Sequence, residues 1–368
     1  MTTSSQTSTT PPVHFSSNKN KPIHKKKTTH AALKEEKLLK QQIDDVLGLL
    51  AMRFFITGGA GFIGSHLVDS LLEQGHTVTV YDNLSSGDEN FLKQHTNNPN
   101  YTFIKEDLLE SKALHKALKD HDVVFHLAAN PHVRLGETQT DLDLKQGVLA
   151  TYNLLESMRK HNIKKIVFSS SSVVYGETPG HPLPETFGPT LPISLYGAAK
   201  LGSEGLITAF CGTFDFQAWI YRFANVVGSR GTHGIIVDFI HKLNNNPTSL
   251  EILGDGKQQK PYLHVSDTVK GILHGYNHAH QHINIFNLGP DTNTTVTHIA
   301  EMVVEEMKLT KVSFNYTGGK RGWKGDVPFF QLDATKIKQL GWKETHTSDE
   351  AIRKAIKEVL QSMNVKTL

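Results

Sequence analysis

The sequence of 368 residues predicts an α/β protein, a doubly wound parallel sheet joined to a smaller C-terminal α/β domain. Three observations carry that expectation. Short apolar runs such as Phe54-Phe-Ile56, Val123 to Ala129 and Lys165 to Ser169 alternate with stretches whose apolar residues recur at helical spacing. Gly58, Gly61 and Gly64 follow the first run directly and lead into the helix-spaced segment His66 to Leu72. After Asn225 the pattern changes to a Gly-rich loop, a helix around Ile235 to Leu243 and a strand Leu250 to Leu253.

Composition narrows the function classes. A 38% hydrophobic and 20% charged chain buries a real core. No uninterrupted apolar run reaches the roughly 18 residues that a membrane helix needs, so no membrane partner is expected. A net charge of +3 is too small to argue for nucleic acid. The single cysteine, Cys211, excludes an intramolecular disulfide and suits a reducing, cytoplasmic setting.

Taken in order, residues 1–29 are rich in Ser, Thr, Asn, Lys and His, and no acidic residue precedes Glu35. Such a segment has little to bury and is expected to be disordered. Lys25-Lys26-Lys27 admits a targeting peptide or basic arm, but without Arg or an apolar signal core a solvated tail is the preferred reading. Leu39, Ile43, Val46, Leu47 and Leu50 then predict an amphipathic helix.

The first strand, the glycine turn and the following helix place bare N–H groups at a helix N-terminus, a site for an anion and most simply a pyrophosphate. The second strand, His76 to Tyr81, ends at Asp82, roughly 20 residues beyond Gly64, the offset at which a carboxylate meets an adenosine ribose. An ordinary βαβ unit shares the glycines; the placed carboxylate favours a Rossmann-type dinucleotide site. Asp82 would repel a 2′-phosphate, so NAD is expected over NADP. A polar turn, Asn83 to Gly87, follows. A third strand, Tyr101 to Lys105, ends at Glu106-Asp107, where an acid can receive the adenine amino group. Small Ala128 and Ala129, with Asn130, let a cofactor lie against the end of the fourth strand. A helix around Ala150 to Glu156 leads to the fifth strand, which ends in Ser169 to Ser172.

Tyr196 and Lys200 stand four apart on the next predicted helix and share a face. A tyrosine is a poor base at neutral pH, and a nearby ammonium with a cationic nicotinamide would favour its phenolate. His274, His278, His280 and His282 raise the question of a metal, but no Cys or carboxylate lies among them. A solvated helix end, with no metal, is expected.

Thr57-Gly-Gly-Ala-Gly-Phe-Ile-Gly64, the turn Tyr81 to Gly87, Ser171 with Val174-Tyr-Gly176, and Tyr196-x-x-x-Lys200 resemble the extended short-chain dehydrogenases/reductases of the NAD-dependent epimerase/dehydratase group. Within them the chain from Met52 onward is most similar to UDP-glucose 4-epimerases. The resemblance implies catalytic roles for Ser171, Tyr196 and Lys200, and a tightly held NAD reduced and reoxidised in each turnover. It implies cofactor contacts from Gly58, Gly61, Phe62, Ile63, Gly64, Asp82, Asn83, Gly87, Asp107, Leu108, Leu127, Ala128 and Ala129, with Tyr196 and Lys200. For a nucleotide sugar, a UDP-hexose, it implies Arg134, Ser171, Asn225 of Arg222-Phe-Ala-Asn225, Lys260, Arg321 and Asp326.

It also implies domain limits: residues 1–51 as tail and helix, 52–227 with 262–290 as the NAD-binding domain, 228–261 and 291–368 as the substrate domain, and a homodimer through two helices per subunit. Phe330 stands near a position bordering the sugar, where its bulk favours glucose and galactose over N-acetylated sugars. Three departures stand out. Gly147 replaces an Asn that helps position the site, and Lys260 replaces an Arg, losing bidentate geometry. Val173 cannot supply the acid–base chemistry that related dehydratases and decarboxylases draw from this stretch. Another NAD-dependent sugar-nucleotide epimerase or a reductase stands as the alternative activity, and a non-enzymatic NAD-binding regulator is the reading least favoured, because Tyr196 and Lys200 are both kept.

Overall fold

A computed structural model describes residues 51–178 and 180–363, so the expected tail and amphipathic helix lie outside the described residues. Seven strands form one sheet: β1 Arg53–Thr57, β2 Thr77–Asp82, β3 Tyr101–Lys105, β4 Val123–His126, β5 Lys165–Ser171, β6 Gln217–Phe223 and β7 Ile283–Leu288. Their spatial order is β7-β6-β5-β4-β1-β2-β3, with every pairing parallel. The helices are α1 Phe62–Glu73, α2 Ser111–Ala117, α3 Ala150–Lys160, α4 Leu195–Phe214, α5 Ile235–Asn245, α6 Val265–His278, α7 Val296–Glu306, α8 Thr335–Gln339 and α9 Ser348–Ser362. This is the Rossmann-type α/β fold. The strand order reverses between β1 and β4, which opens a crevice at their carboxyl ends.

The period of two along each strand sorts the core. Phe54, Ile56, Val78, Val80 and Phe125 face α1 and α6, packing on Leu67, Val68, Leu71 and Ile272. Phe55, Val124, Ile166, Phe168 and Ile220 face the other way onto Leu154, Leu155 and Met158 of α3 and Ile207 and Phe210 of α4. Burying each such side chain is worth about 1.5–3 kcal/mol. A separate cluster holds α5, α7 and α9 together through Ile240, Ile299, Val303 and Ile356, over Leu250 and Ile252.

Several boundaries differ from the sequence expectation. The fourth strand stops at His126 and not at Ala129, because Leu127 N–H donates to Thr57 O and Ala128 N–H to Thr57 Oγ1 as β1 and β4 part. The fifth strand runs on to Ser171. A π-helical turn, Leu144–Leu149, precedes α3. His274 and His278 stack with ring centroids 4.1 Å apart and donate to Leu340 O and His274 O. Among the described residues no group of His, Cys, Asp and Glu is placed to hold a metal ion, and no helix is long and apolar enough to cross a membrane.

One buried ion pair fixes α4 to the sheet. Arg222 of β6 donates through Nε and NH2 to both carboxylate oxygens of Glu204, at 3.0 and 2.7 Å. Ser170 Oγ donates to the same carboxylate, and Arg222 NH1 donates to the Tyr175 hydroxyl and Glu185 O. Glu204→Gln removes the charge that pairs a buried guanidinium, and urea unfolding is expected to show a loss of about 3–5 kcal/mol. A loss below about 1 kcal/mol would contradict the pairing.

Candidate active site

The crevice is built from glycine outward. Gly58 has φ +69°, and a Cβ there would stand 2.6 Å from Ala128 N. A Cβ on Gly64 would lie 2.1 Å from Gly58 O, so the first turn of α1 rests directly on the loop. Gly61 precedes α1 and no side chain caps it, leaving first-turn N–H groups for a ligand. Phe62 and Ile63 form that turn, half-buried. Asp82, at the end of β2, accepts from Ala60 N–H at 3.0 Å and Leu84 N–H at 2.9 Å, which fixes its carboxylate beside the loop. Burial raises its pKa, and those two hydrogen bonds oppose the rise.

The polar turn folds over the same loop: Asp88 N–H donates to Ala60 O, and Gly87 packs on Ala60. Asn83 donates to Asp107 at 2.7 Å, which joins the polar turn to the acid expected at the adenine amino group. Buried Leu108 and half-buried Leu127, Ala128 and Ala129 line the ends of β3 and β4.

At the carboxyl end of β5, Ser171 Oγ accepts from Val173 N–H at 3.4 Å. Tyr196 and Lys200 lie in the first turns of α4, which Ser194 caps by accepting from Gly197 N–H. Lys200 is buried and donates to Ser169 O at 2.6 Å. Its ammonium lies 5.7 Å from the Tyr196 ring centroid and 4.8 Å from that of Phe168. Burial pulls its pKa down to about 7, against the opposing charges of Glu204 and Asp143. Burial, reinforced by Asp143, pushes the Tyr196 phenol well above its ordinary value. In the protein alone burial therefore favours the neutral phenol; the sequence expectation joins the ammonium to a cationic nicotinamide ring.

Of the residues expected at the sugar nucleotide, Lys260, Arg321 and Asp326 are brought together, and the two cations are paired with carboxylates. Lys260 bonds Asp326. Arg321 donates to Asp326 O at 2.8 Å and pairs with Glu177. Asn225 stands opposite buried Tyr262 in a short parallel ladder. Arg134 is exposed, 6.0 Å from the Trp323 ring. Phe330 is buried in a cluster with Val174, Tyr175 and Leu332.

Sequence reasoning missed two residues. Asp143, immediately before the π-helical turn, is buried and bonded to Asn130 at 3.1 Å; nothing local in the sequence marks it. His126, a polar residue inside an apolar strand, did carry a signal. Its Nδ1 lies 2.7 Å from Thr57 Oγ1 and its Nε2 3.0 Å from Thr151 Oγ1.

Gly147 sits on the π-helical turn, where a Cβ would come within 2.9 Å of Ala199 Cβ on α4. The Asn expected there has no room. Gly147→Asn is expected to cost about 1–3 kcal/mol in urea unfolding, largely recovered in Gly147→Asn/Ala199→Gly. Unchanged stability in the single variant would contradict this close approach.

Comparison with known proteins places these features. The model of the NAD dependent epimerase/dehydratase family matches residues 54–289. A putative UDP-glucose 4-epimerase of Methanocaldococcus jannaschii is 34% identical over 307 residues, 82% of this chain and 96% of its own. UDP-glucuronic acid decarboxylase 4 of Arabidopsis thaliana is 32% identical over 305 residues, 79% of this chain and 65% of its own. A crystal structure of a UDP-galactose 4-epimerase superposes with a TM-score of 0.76 at 39% identity, covering 85% of this chain and 100% of that one.

Proposed function

The chain belongs to the NAD-dependent epimerase/dehydratase family, and from that premise we propose that it interconverts UDP-glucose and UDP-galactose by inverting C4 through a transient 4-keto sugar. One observation carries this reading: Tyr196 and Lys200 of α4 stand at the carboxyl edge of the sheet with Ser171, while Ser172 and Val173 occupy the stretch in which elimination or decarboxylation needs further acids. Tyr196 then acts as the proton-transfer group at the sugar oxygen.

The crevice suits NAD. Glycines that admit no Cβ, an uncapped helix N-terminus and a fixed Asp82 match a pyrophosphate and an adenosine ribose. NAD, when bound, supplies a reversible hydride acceptor and a positively charged ring. Tyr196 takes the proton of the C4 hydroxyl and returns it to the same oxygen after the sugar has turned over. Ser171 orients that oxygen, and Lys200 lowers the cost of the phenolate. Lys260, Arg321 and Asn225 hold the diphosphate end, with Asp326 on the nucleotide ribose and Arg134 over the cleft. Phe330, packed beside Val174 and Tyr175, is the bulky residue near the position bordering the sugar, and that bulk favours unsubstituted hexoses.

We place residues 52–227 and 262–290 in the NAD-binding domain and the rest of the C-terminal half in the substrate domain. A homodimer is read from Leu149 and Tyr152, apolar side chains left exposed about the start of α3. Cys211, buried and free, accords with a cytoplasmic setting. Lys260, a point charge in place of a forked guanidinium, favours a different nucleotide sugar as the second reading.

Conversion of UDP-galactose to UDP-glucose by the purified protein without added NAD, followed by chromatography, tests the proposal. Tyr196→Phe is expected to lower the rate about 10²–10⁴-fold. A variant keeping more than a tenth of the parent rate would contradict Tyr196 as the proton-transfer group.

A further inference from the structure

Asp143 and Lys200 face one small cavity that also touches Ala128 and Ala129 of the crevice wall. Asp143 is 2% exposed. Its Oδ1 accepts from Asn130 Nδ2, whereas its Oδ2 is buried and bonded to nothing among the described residues. An orphaned carboxylate oxygen in a protein interior is costly and calls for a donor. Across the cavity, Lys200 is 5% exposed and donates one N–H to Ser169 O, so its ammonium has protons to spare. The remaining walls mix apolar Phe168, Ala199 and Gly147 with polar Asn130, Thr151, Tyr196 and Ser203, of which Asn130 already donates to Asp143 and Thr151 to Gly147 O.

A group that fits between a spare acceptor and a spare donor must both donate and accept, and a hydroxyl does so. We propose that Asp143 is a second ribose-binding carboxylate: its free oxygen accepts from a hydroxyl of the nicotinamide-side ribose of NAD, to which Lys200 donates. It stands to that ribose as Asp82 stands to the adenosine ribose. The carboxylate shares the cavity with Tyr196, whose phenolate its charge disfavours, and with Glu204 on the helix it opposes the burial of the Lys200 charge. The inference rests on the crevice holding NAD and is independent of which sugar is turned over.

Asp143→Asn tests it. Because Asn130 donates to this position, the amide turns its oxygen to Asn130 and its NH2 toward the cavity, replacing an acceptor with a donor. Binding of NAD, ADP-ribose and ADP to the full chain stripped of cofactor is read by calorimetry. NAD and ADP-ribose are expected to weaken about 10- to 100-fold, and ADP, which lacks the second ribose, to bind as to the parent. Equal weakening of all three, or no weakening, overturns the proposal.

The unaltered protein gives an independent reading in which folding is not at issue. An NAD analogue without the 2′ and 3′ hydroxyls on its nicotinamide-side ribose is expected to bind at least tenfold more weakly than NAD, on the order of one lost hydrogen bond to a charged group; equal affinity overturns the proposal. Parent protein that binds neither ADP nor ADP-ribose overturns the crevice assignment itself, a failure distinct from the first.

Discussion

A run of hydrogen bonds buried beneath the crevice holds the site together. Ala128 N–H donates to Thr57 Oγ1, Thr57 Oγ1 lies 2.7 Å from His126 Nδ1, His126 Nε2 lies 3.0 Å from Thr151 Oγ1, and Thr151 donates to Gly147 O at 2.7 Å. It joins the end of β1, the end of β4, the start of α3 and the π-helical turn, and Ser203 of α4 lies 3.1 Å from Thr151 Oγ1. Burial, with the Lys200 charge behind it, drives the His126 pKa down to about 3. The ring is therefore neutral at working pH, with one nitrogen to accept and one to donate. The glycine turn and the Tyr196 helix are thereby set relative to one another by largely buried hydrogen bonds.

Above this layer the electrostatics run against the charged forms. Desolvation lowers Lys200 toward neutrality and raises both Tyr196 and Asp143. The neutral forms are favoured throughout: Tyr196 and Asp143 keep their protons more readily, and Lys200 gives its proton up more readily. The cations expected at the nucleotide end show a parallel restraint. Lys260 and Arg321 are paired with Asp326 and Glu177, so neither cation stands as bare charge.

The parts of the fold legible in the sequence are those fixed by local rules. Gly58 requires a left-handed backbone, Gly64 a close approach of helix to loop, and Asp82 a position at a strand end; each is a short-range pattern. The strand ends were less legible, because β4 stops where β1 and β4 diverge, a property of the pair and not of Leu127 to Ala129. Arg222 reads as part of a motif beside the substrate, yet its guanidinium is spent on Glu204 and Tyr175 in the interior. Asp143 carries no local signal, since only the tertiary fold ahead of the π-helical turn sets it in the cavity that Lys200 also lines. Gly147 read as a missing side chain; the structure shows a glycine demanded by Ala199.

The most direct measurement of the account follows the hydrogen at C4. UDP-galactose carrying deuterium at C4 is incubated with the purified protein in ordinary water without added NAD, and the product is examined by mass spectrometry and NMR. Transfer and return of a hydride through a resident cofactor predicts UDP-glucose that keeps its deuterium at C4. Product with solvent hydrogen at C4, or no UDP-glucose at all, would contradict it.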